Sequence, residues 1–260
     1  MYSKRMLIPQ TMFVNMTSLH ELNPAIREPA VCVTIVSKRC TINIGTMLKK
    51  SSMVFVDQKG STIEAILYEE LESPMLHTMD EGDWFEIRNF KVIRASGLTR
   101  LSRNRYQIEM SAYSLISKIQ PKTHGNYYCF QRFRNVICGF AHPMYSIDLY
   151  GALVGVGDLL PFHDETIGGV NHKIMFSLID IEYDEIRCVA YGNKAREFYQ
   201  KWNSTVAPVI LCVLNFWRIE WGEGSLQYVT NIDEFSKILI EPEIPEIHAF
   251  RMRYYDIPFY

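Results

Sequence analysis

The sequence repeats a set of residues once, and this internal repeat constrains the fold more than any other feature. Each repeated residue lies 123 to 126 positions before its partner. The pairs are Asp57 and Asp180, Tyr68 and Tyr191, and Asn89-Phe90 and Asn215-Phe216. A near-constant period with the same residue order is typical of one structural unit present twice. The sequence therefore predicts a duplicated domain.

Each half contains about five short apolar, β-branched segments bounded by turn residues, a pattern that predicts strands. In the first half they span 31–36, 53–56, 63–68, 84–93 and 106–110, and in the second half 147–156, 173–179, 185–191, 209–218 and 226–230. A helix-like segment follows the third strand in both halves, at 69–79 and at 193–202. Pro74 keeps the first of these short or broken, whereas the second has an apolar stripe at helical spacing.

A five-stranded unit with one helix between its third and fourth strands matches the OB fold, a partly open barrel. An immunoglobulin-like sandwich would need about seven strands and has no helix there. The predicted fold class is all-β with short helices, as two tandem OB-fold barrels. The predicted first domain with an N-terminal arm is 1–119, followed by a polar linker at 120–129, a second domain at 130–248 and a C-terminal tail at 249–260.

Composition excludes several classes of protein. The chain has 260 residues, 48% of them apolar, which is enough for two domains with real cores. Its longest apolar run, 206–216, is broken by Pro208 and Asn215, so we expect no membrane partner and a soluble chain. The six cysteines include no C-x-x-C pair and no histidine at metal spacing, so we expect no metal and a reducing compartment.

No catalytic pattern stands out in the sequence. Nucleophile elbows, H-E-x-x-H and Walker-type glycine loops are missing, so we expect neither enzymatic activity nor a cofactor.

Charge is distributed unevenly along the chain. Residues 1–130 hold 16 basic and 12 acidic side chains, a net +4, whereas residues 131–260 hold 11 and 17, a net −6.

Aromatic residues at strand ends, next to basic residues, are the remaining signal. Such rings stack on bases whatever their identity, and lysine and arginine bind the phosphates. In the second unit the candidate rings are Tyr191, which ends the third strand, and Trp221, in the loop between the fourth and fifth strands. The candidate phosphate contacts are Lys38, Arg39, Arg88, Lys91, Arg94, Arg100, Lys173, Arg187 and Arg218.

Longer motifs make this signal more specific. The segments 187–198, 219–226 and 242–246 are similar to the second core DNA-binding OB domain of the replication protein A large subunit. The segments 53–68 and 85–92 resemble the first core domain in the divergent form of plant replication-protein-A-like proteins. The resemblance covers about residues 10–250 in the family's order.

The resemblance implies a non-catalytic nuclear protein that binds single-stranded DNA in replication, repair or recombination. Carried over by position, the family's stacking residues fall on Tyr68, Tyr191 and Trp221. Counted from Asn89-Phe90, the fourth position holds Ala95, so one ring is replaced or displaced. Four arginines crowd the loop in that region and could replace stacking by phosphate contacts: Arg94, Arg100, Arg103 and Arg105.

The resemblance also bears on partners. The family's large subunit has a third core domain with a zinc ribbon and the contacts to its smaller partners, and neither has a counterpart in this sequence. Protein partners of a replication-protein-A-like complex are implied only in general terms. Two questions stay open at this point: whether DNA or RNA is preferred, and whether the chain is instead an OB-fold protein-interaction module with weak or no nucleic-acid binding.

Overall fold

The computed structural model describes residues 16–43, 48–70, 79–165, 168–222, 227–232 and 235–255. The N-terminal half forms β1 (Ala30–Asn43), β2 (Leu48–Asp57), β3 (Thr62–Glu70), β4 (Trp84–Arg88), β5 (Lys91–Arg94), β6 (Tyr106–Met110) and β7 (Leu115–Ile119). The C-terminal half forms α1 (Phe133–Ile137), β8 (Ile147–Val154), β9 (Leu160–Asp164), β10 (Gly169–Ile179), β11 (Glu185–Tyr191), α2 (Gly192–Ser204), β12 (Leu211–Trp221), β13 (Gln227–Asn231), β14 (Lys237–Ile240) and α3 (Pro245–Tyr255).

The first half closes into a barrel. Strand β1 pairs antiparallel with both β2 and β4, and β2 pairs with β3. Strand β3 then pairs parallel with β6, which returns to β5. Alternate side chains of these strands point inward and form a buried core that includes Val33, Phe55, Leu67, Phe85 and Ile108.

The second half repeats the same connections. Strand β8 pairs with β10 and β12, β10 pairs with β11, and β11 pairs parallel with β13, which pairs with β12. Helix α2 packs its apolar stripe on this barrel, where Phe198 contacts Phe176 with ring centroids 4.5 Å apart. Two five-stranded barrels of this topology confirm the prediction of tandem OB folds.

The strand predicted over 84–93 is in fact two strands, β4 and β5, because the chain bends between them. Asn89 has φ 54°, in the left-handed region. Of the helix-like segment predicted at 69–79, residues 69 and 70 belong to β3, and 71–78 lie outside the described residues. Residues 1–15, at the start of the predicted first domain with its N-terminal arm, also lie outside them.

The left-handed residues correct the alignment of the two halves at this bend. Phe216, with φ 56°, is the counterpart of Asn89, because both carbonyl oxygens accept a hydrogen bond from a serine of the last strand region. Ser114 Oγ donates to Asn89 O at 2.9 Å and Ser236 Oγ to Phe216 O at 2.5 Å. The offset here is therefore 127 residues, and the Asn-Phe match made from sequence is wrong by one position.

Asp148 stabilises the second bend and the start of the second domain. Its buried carboxylate accepts hydrogen bonds from Asn215 Nδ2, from the Phe216 amide and from the Cys129 amide, each at 2.8 Å. Burial raises the pKa of this carboxyl group, and the three donors oppose the rise.

Helix α3 packs on the second barrel. Ile244, Ile247 and Phe250 bury their side chains against Leu211 and Val213. The helix crosses the boundary predicted between residues 248 and 249. The first part of the predicted tail, up to Tyr255, is therefore helical. Among the helices in the described ranges, none is both long and apolar enough to cross a membrane.

The two barrels dock against each other. Val54 on the outer face of β2 packs with Phe216 and Phe235 of the second barrel, and all three side chains are buried. Lys237 Nζ donates to Val36 O at 3.0 Å and pairs with Glu81 Oε2 at 2.5 Å. One edge of the first barrel's outer face is therefore covered by the second barrel.

Asp57 and Asp180 occupy equivalent turns, with different numbers of hydrogen bonds. The carboxylate of Asp57 accepts four, from Ser18 Oγ and from the amides of Leu19, Lys59 and Ser61. That of Asp180 accepts two, from backbone amides in its own turn. Burial opposes ionisation of Asp57, but these donors outweigh it and hold the pKa of its carboxyl group below the ordinary 3.8.

We expect Asp57→Ala to lower the free energy of unfolding by about 3 kcal/mol, because four donors lose a charged acceptor. Asp180→Ala is the matched control and should cost about 1 kcal/mol. Since the pKa of Asp57 is lower in the folded chain, its contribution is complete above pH 3.8 and is lost as the pH falls through the lower folded value. Urea unfolding at pH 7 and at pH 3 measures both effects, and equal costs for the two variants would contradict the assignment.

Candidate nucleic-acid interface

A lysine–tyrosine pair recurs at the same place on the outer face of both barrels. Lys50 lies opposite Tyr68 in the β2–β3 register, and Lys173 lies opposite Tyr191 in the β10–β11 register. Both pairs keep the 123-residue offset. Lys50 Nζ lies 5.8 Å from the centroid of the Tyr68 ring, which is within cation–π range. Sequence analysis identified both tyrosines and Lys173 but missed Lys50, which only the strand register places beside a ring.

The two tyrosines differ in exposure. The Tyr68 side chain is 48% exposed, so its ring can be reached from solvent. Tyr191 is half-buried, and its ring meets Phe162 edge-on with centroids 5.5 Å apart. Burial raises the pKa of Tyr191, and the neighbouring Tyr228 and Glu220 add to the rise, so its hydroxyl group stays protonated at neutral pH.

The outer face of β11 continues away from Tyr191 through every second residue. Val189, Arg187 and Glu185 point outward, and their inward neighbours are buried in the barrel. Met175, 50% exposed, lies opposite Val189 on β10. This side of the second barrel thus combines apolar surface with an arginine.

Trp221 is the last residue of β12 and pairs with Gln227. Sequence analysis placed it in the loop between the fourth and fifth strands, which the structure corrects by extending the strand three residues beyond Arg218. The residue is nevertheless 51% exposed. A large ring held by a paired strand and still half-exposed can stack on a planar ligand.

The structure also shows which residue occupies the position of the missing fourth ring. With the 127-residue offset, the counterpart of Trp221 is Arg94 rather than Ala95, and Arg94 pairs with Tyr106 as Trp221 pairs with Gln227. The first barrel therefore has an exposed arginine at the tryptophan position and a partly exposed tyrosine on the adjacent strand. The one-residue error in the alignment made from sequence placed Ala95 here instead of Arg94, and Tyr106 was not among the predicted residues.

Several predicted phosphate contacts are used in the fold instead. Lys38 Nζ donates to Met79 O at 2.6 Å, and Arg88 pairs with Glu86 on the side of the barrel formed by β1, β4 and β7. Arg39 lies between the domains, with its guanidinium group 6.0 Å from the Phe235 ring centroid.

Arg100 is the clearest correction among these residues. It is buried, its amide donates to Met144 O at 2.7 Å, and its carbonyl accepts from the Ser146 amide at 2.8 Å. Its guanidinium group stacks near Tyr145 and binds Asn104 O. The loop that was predicted to contact phosphates therefore joins the two domains at Arg100.

The other predicted basic residues lie on the outer faces. Lys91 pairs loosely with Glu109 at 3.7 Å, and Arg218 pairs with Glu220 at 3.1 Å. Of the predicted contacts, Arg94, Lys173 and Arg187 form no ion pair with a described acidic residue, and neither does Lys50.

A hairpin arm formed by β9 and the start of β10 extends the second face. It brings Phe162 to Tyr191 and places Lys173 Nζ 6.0 Å from the Phe162 ring centroid. Arg196 of α2 lies beside the arm, 3.0 Å from His172 Nδ1. Sequence analysis did not select Phe162 or Arg196, since neither follows a strand-end pattern and only the tertiary structure brings them to Tyr191.

Comparisons with known proteins agree with this fold. The family model of the domain of unknown function DUF223 matches residues 20–139, which contain the first barrel. Among the solved structures, a chain of a replication protein A heterotrimer bound to single-stranded DNA matches with a TM-score of 0.62 and 18% identity, over 93% of this chain and 55% of that chain. The fold is a tandem OB fold like that of replication protein A. The present chain spans about half the length of the replication protein A chain that it matches.

Two further solved structures match less well. DNA-binding domain A of Saccharomyces cerevisiae replication protein A matches with 15% identity and a TM-score of 0.33, over 42% of this chain and 97% of that chain. Fission yeast Pot1 with single-stranded DNA matches with 10% identity and a TM-score of 0.38, over 96% and 95% of the two chains. No curated protein matches the sequence significantly.

Proposed function

We propose that this chain is a non-catalytic protein that binds single-stranded DNA across the outer faces of both barrels. The observation that carries the proposal is the repeated lysine–tyrosine pair, Lys50 with Tyr68 and Lys173 with Tyr191, at the same register position of both domains. A ring that stacks on a base beside a cation that binds a phosphate is the arrangement that holds single strands without reading sequence.

The more specific parts of the proposal follow from the structural similarity to replication protein A. The matching replication protein A chain belongs to a heterotrimer bound to single-stranded DNA, so we propose a nuclear role in replication, repair or recombination, with protein partners of a replication-protein-A-like complex. The plant-type, large-subunit character suggested by the sequence motifs belongs to the same proposal. Whether RNA also binds is an outcome of the experiment below, using oligo-dT and oligo-U in parallel.

Salt dependence tests the phosphate contacts. The logarithm of the oligo-dT association constant should fall linearly with the logarithm of salt concentration, by about 0.7 per phosphate contacted. Lys50→Ala with Lys173→Ala should flatten the slope by about 1.4, because two contacts are removed. Fluorescence anisotropy between 50 and 300 mM salt measures the slope.

Lys59→Ala is the matched control, since Lys59 is exposed in the β2–β3 turn away from both pairs. It should leave the slope unchanged. A slope near zero for the unmodified chain would overturn the phosphate contacts. Absence of measurable binding at 50 mM salt would favour the alternative, a protein-interaction module that has the fold without the DNA affinity.

A further inference from the structure

A pocket of about 480 Å³ opens at the end of the second barrel, beside Trp221. Its floor is apolar and buried, formed by Val136 at the end of α1, Ile186 of β11 and Val229 of β13. The half-exposed Trp221 forms part of the wall, and the turn after α1 also lines the pocket. A concave apolar site with a planar ring along one wall fits a flat aromatic ligand.

The rim of the pocket is polar and mixed in charge. Glu185 and Arg187, two residues apart on β11, both point outward and are exposed. Gln227 of β13 pairs with Trp221 of β12. Among the described residues, no basic side chain forms an ion pair with Glu185. The carboxylate is therefore available to an incoming donor, while Arg187 offers a phosphate contact beside it.

We propose that this pocket takes one nucleobase of the bound strand, stacked on Trp221, and that Glu185 selects bases with an exocyclic amino group. The inference rests on the proposed function and deepens it. An ionised carboxylate only accepts hydrogen bonds. Cytosine carries an amino donor at C4, adenine at C6 and guanine at C2, whereas the polar exocyclic groups of thymine and uracil are carbonyl oxygens, which a carboxylate repels.

Stacking alone gives little base preference, because every base has a π-face. Sequence preference in single strands comes from hydrogen bonds to the edge of an unstacked base. The second barrel, which holds both Trp221 and Glu185, therefore supplies a base preference. The first barrel has Arg94 in place of the tryptophan and Glu64 in place of Arg187. Glu64 is turned into the fold, where its carboxylate accepts from the amides of Leu101 and Ser102.

The test compares oligo-dC with oligo-dU, both 24-mers of deoxynucleotides, at pH 7.5. Cytosine and uracil differ only at N3 and C4, the edge that Glu185 would contact. The measured quantity is the ratio of the dU to the dC dissociation constant for the full chain. Glu185→Gln should lower this ratio about tenfold, because an amide also donates to the uracil carbonyl. The matched control is Glu182→Gln, which removes the same charge from the adjacent β10–β11 turn and does not line the pocket. It should leave the ratio unchanged.

An unchanged ratio in Glu185→Gln, with normal binding of both oligonucleotides, would overturn the base selection and leave the proposed function intact. Equal loss of the ratio in both variants would assign the effect to general charge and would also overturn it. Failure of the unmodified chain to bind either oligonucleotide would instead contradict the proposed function. Glu185 is exposed, so the variant should fold, and thermal unfolding checks that it does.

Discussion

Replacing Tyr191 and Trp221 together by alanine is expected to weaken oligo-dT binding by about 10²–10⁴-fold. Each base stacked on an aromatic side chain contributes about 1–3 kcal/mol, and two such losses add when the rings hold different bases. The salt slope should stay nearly unchanged, because neither substitution removes a phosphate contact. Anisotropy titrations at two salt concentrations measure both quantities.

The control for this double variant is Tyr113→Ala, which removes an 81% exposed tyrosine from the β6–β7 turn of the first barrel. It should bind as the unmodified chain does. Thermal unfolding accompanies the titrations, since Tyr191 is half-buried and its loss has a packing cost. Stacking is the wrong role for these rings if binding persists, or if it falls only in proportion to unfolding.

An oligonucleotide long enough to cross both barrels should bind about 10²–10⁴-fold more tightly than one that covers a single barrel. Contact with the second barrel becomes intramolecular once the first is bound, so its effective concentration is high. The docked interface of Val54, Phe216 and Phe235 adds to this gain, because it holds both faces in one arrangement before the strand arrives.

Phe235→Ala with Lys237→Ala removes two side chains of the second barrel that contact the first barrel, and it keeps the two lysine–tyrosine pairs. This variant should bind an 8-mer of oligo-dT as the unmodified chain does, while the gain for a 24-mer becomes smaller. Isothermal titration with the two lengths, corrected for the number of registers available, measures the gain. Equal affinity for both lengths in the unmodified chain would mean that only one barrel binds.

How much of the site was predictable depends on whether a residue's role is set by its own strand. Tyr191 ends β11 and Tyr68 lies two residues before the end of β3. The alternation of both strands is visible in the sequence, so the outward positions of the two rings were predictable. Three further residues of the site also lie on strands: Lys50, Phe162 and Tyr106. Each of them has its partner in the site on a different strand. Strand pairing is not encoded in the spacing of one segment, so these residues were missed.

The sequence by itself determined the duplication, the strand alternation of each barrel and the helix at α2. These features depend on local periodicity and on residues repeated at a constant offset, which are written along one chain direction. The repeated residues Asp57 and Asp180 each begin a turn in the structure, where the carboxylate binds backbone amides a few residues away.

Only the tertiary structure decided how the two domains align at their bends and that Arg100 joins the two domains. The bend at Phe216 depends on Asp148 and Ser236, which are 68 and 20 residues away, so no local pattern marks its position. A loop whose arginine is exposed and a loop whose arginine is buried can have the same amino-acid composition. Arg100 is buried because Met144 and Ser146 of the other barrel bind its backbone, and that contact exists only once both barrels have folded and docked.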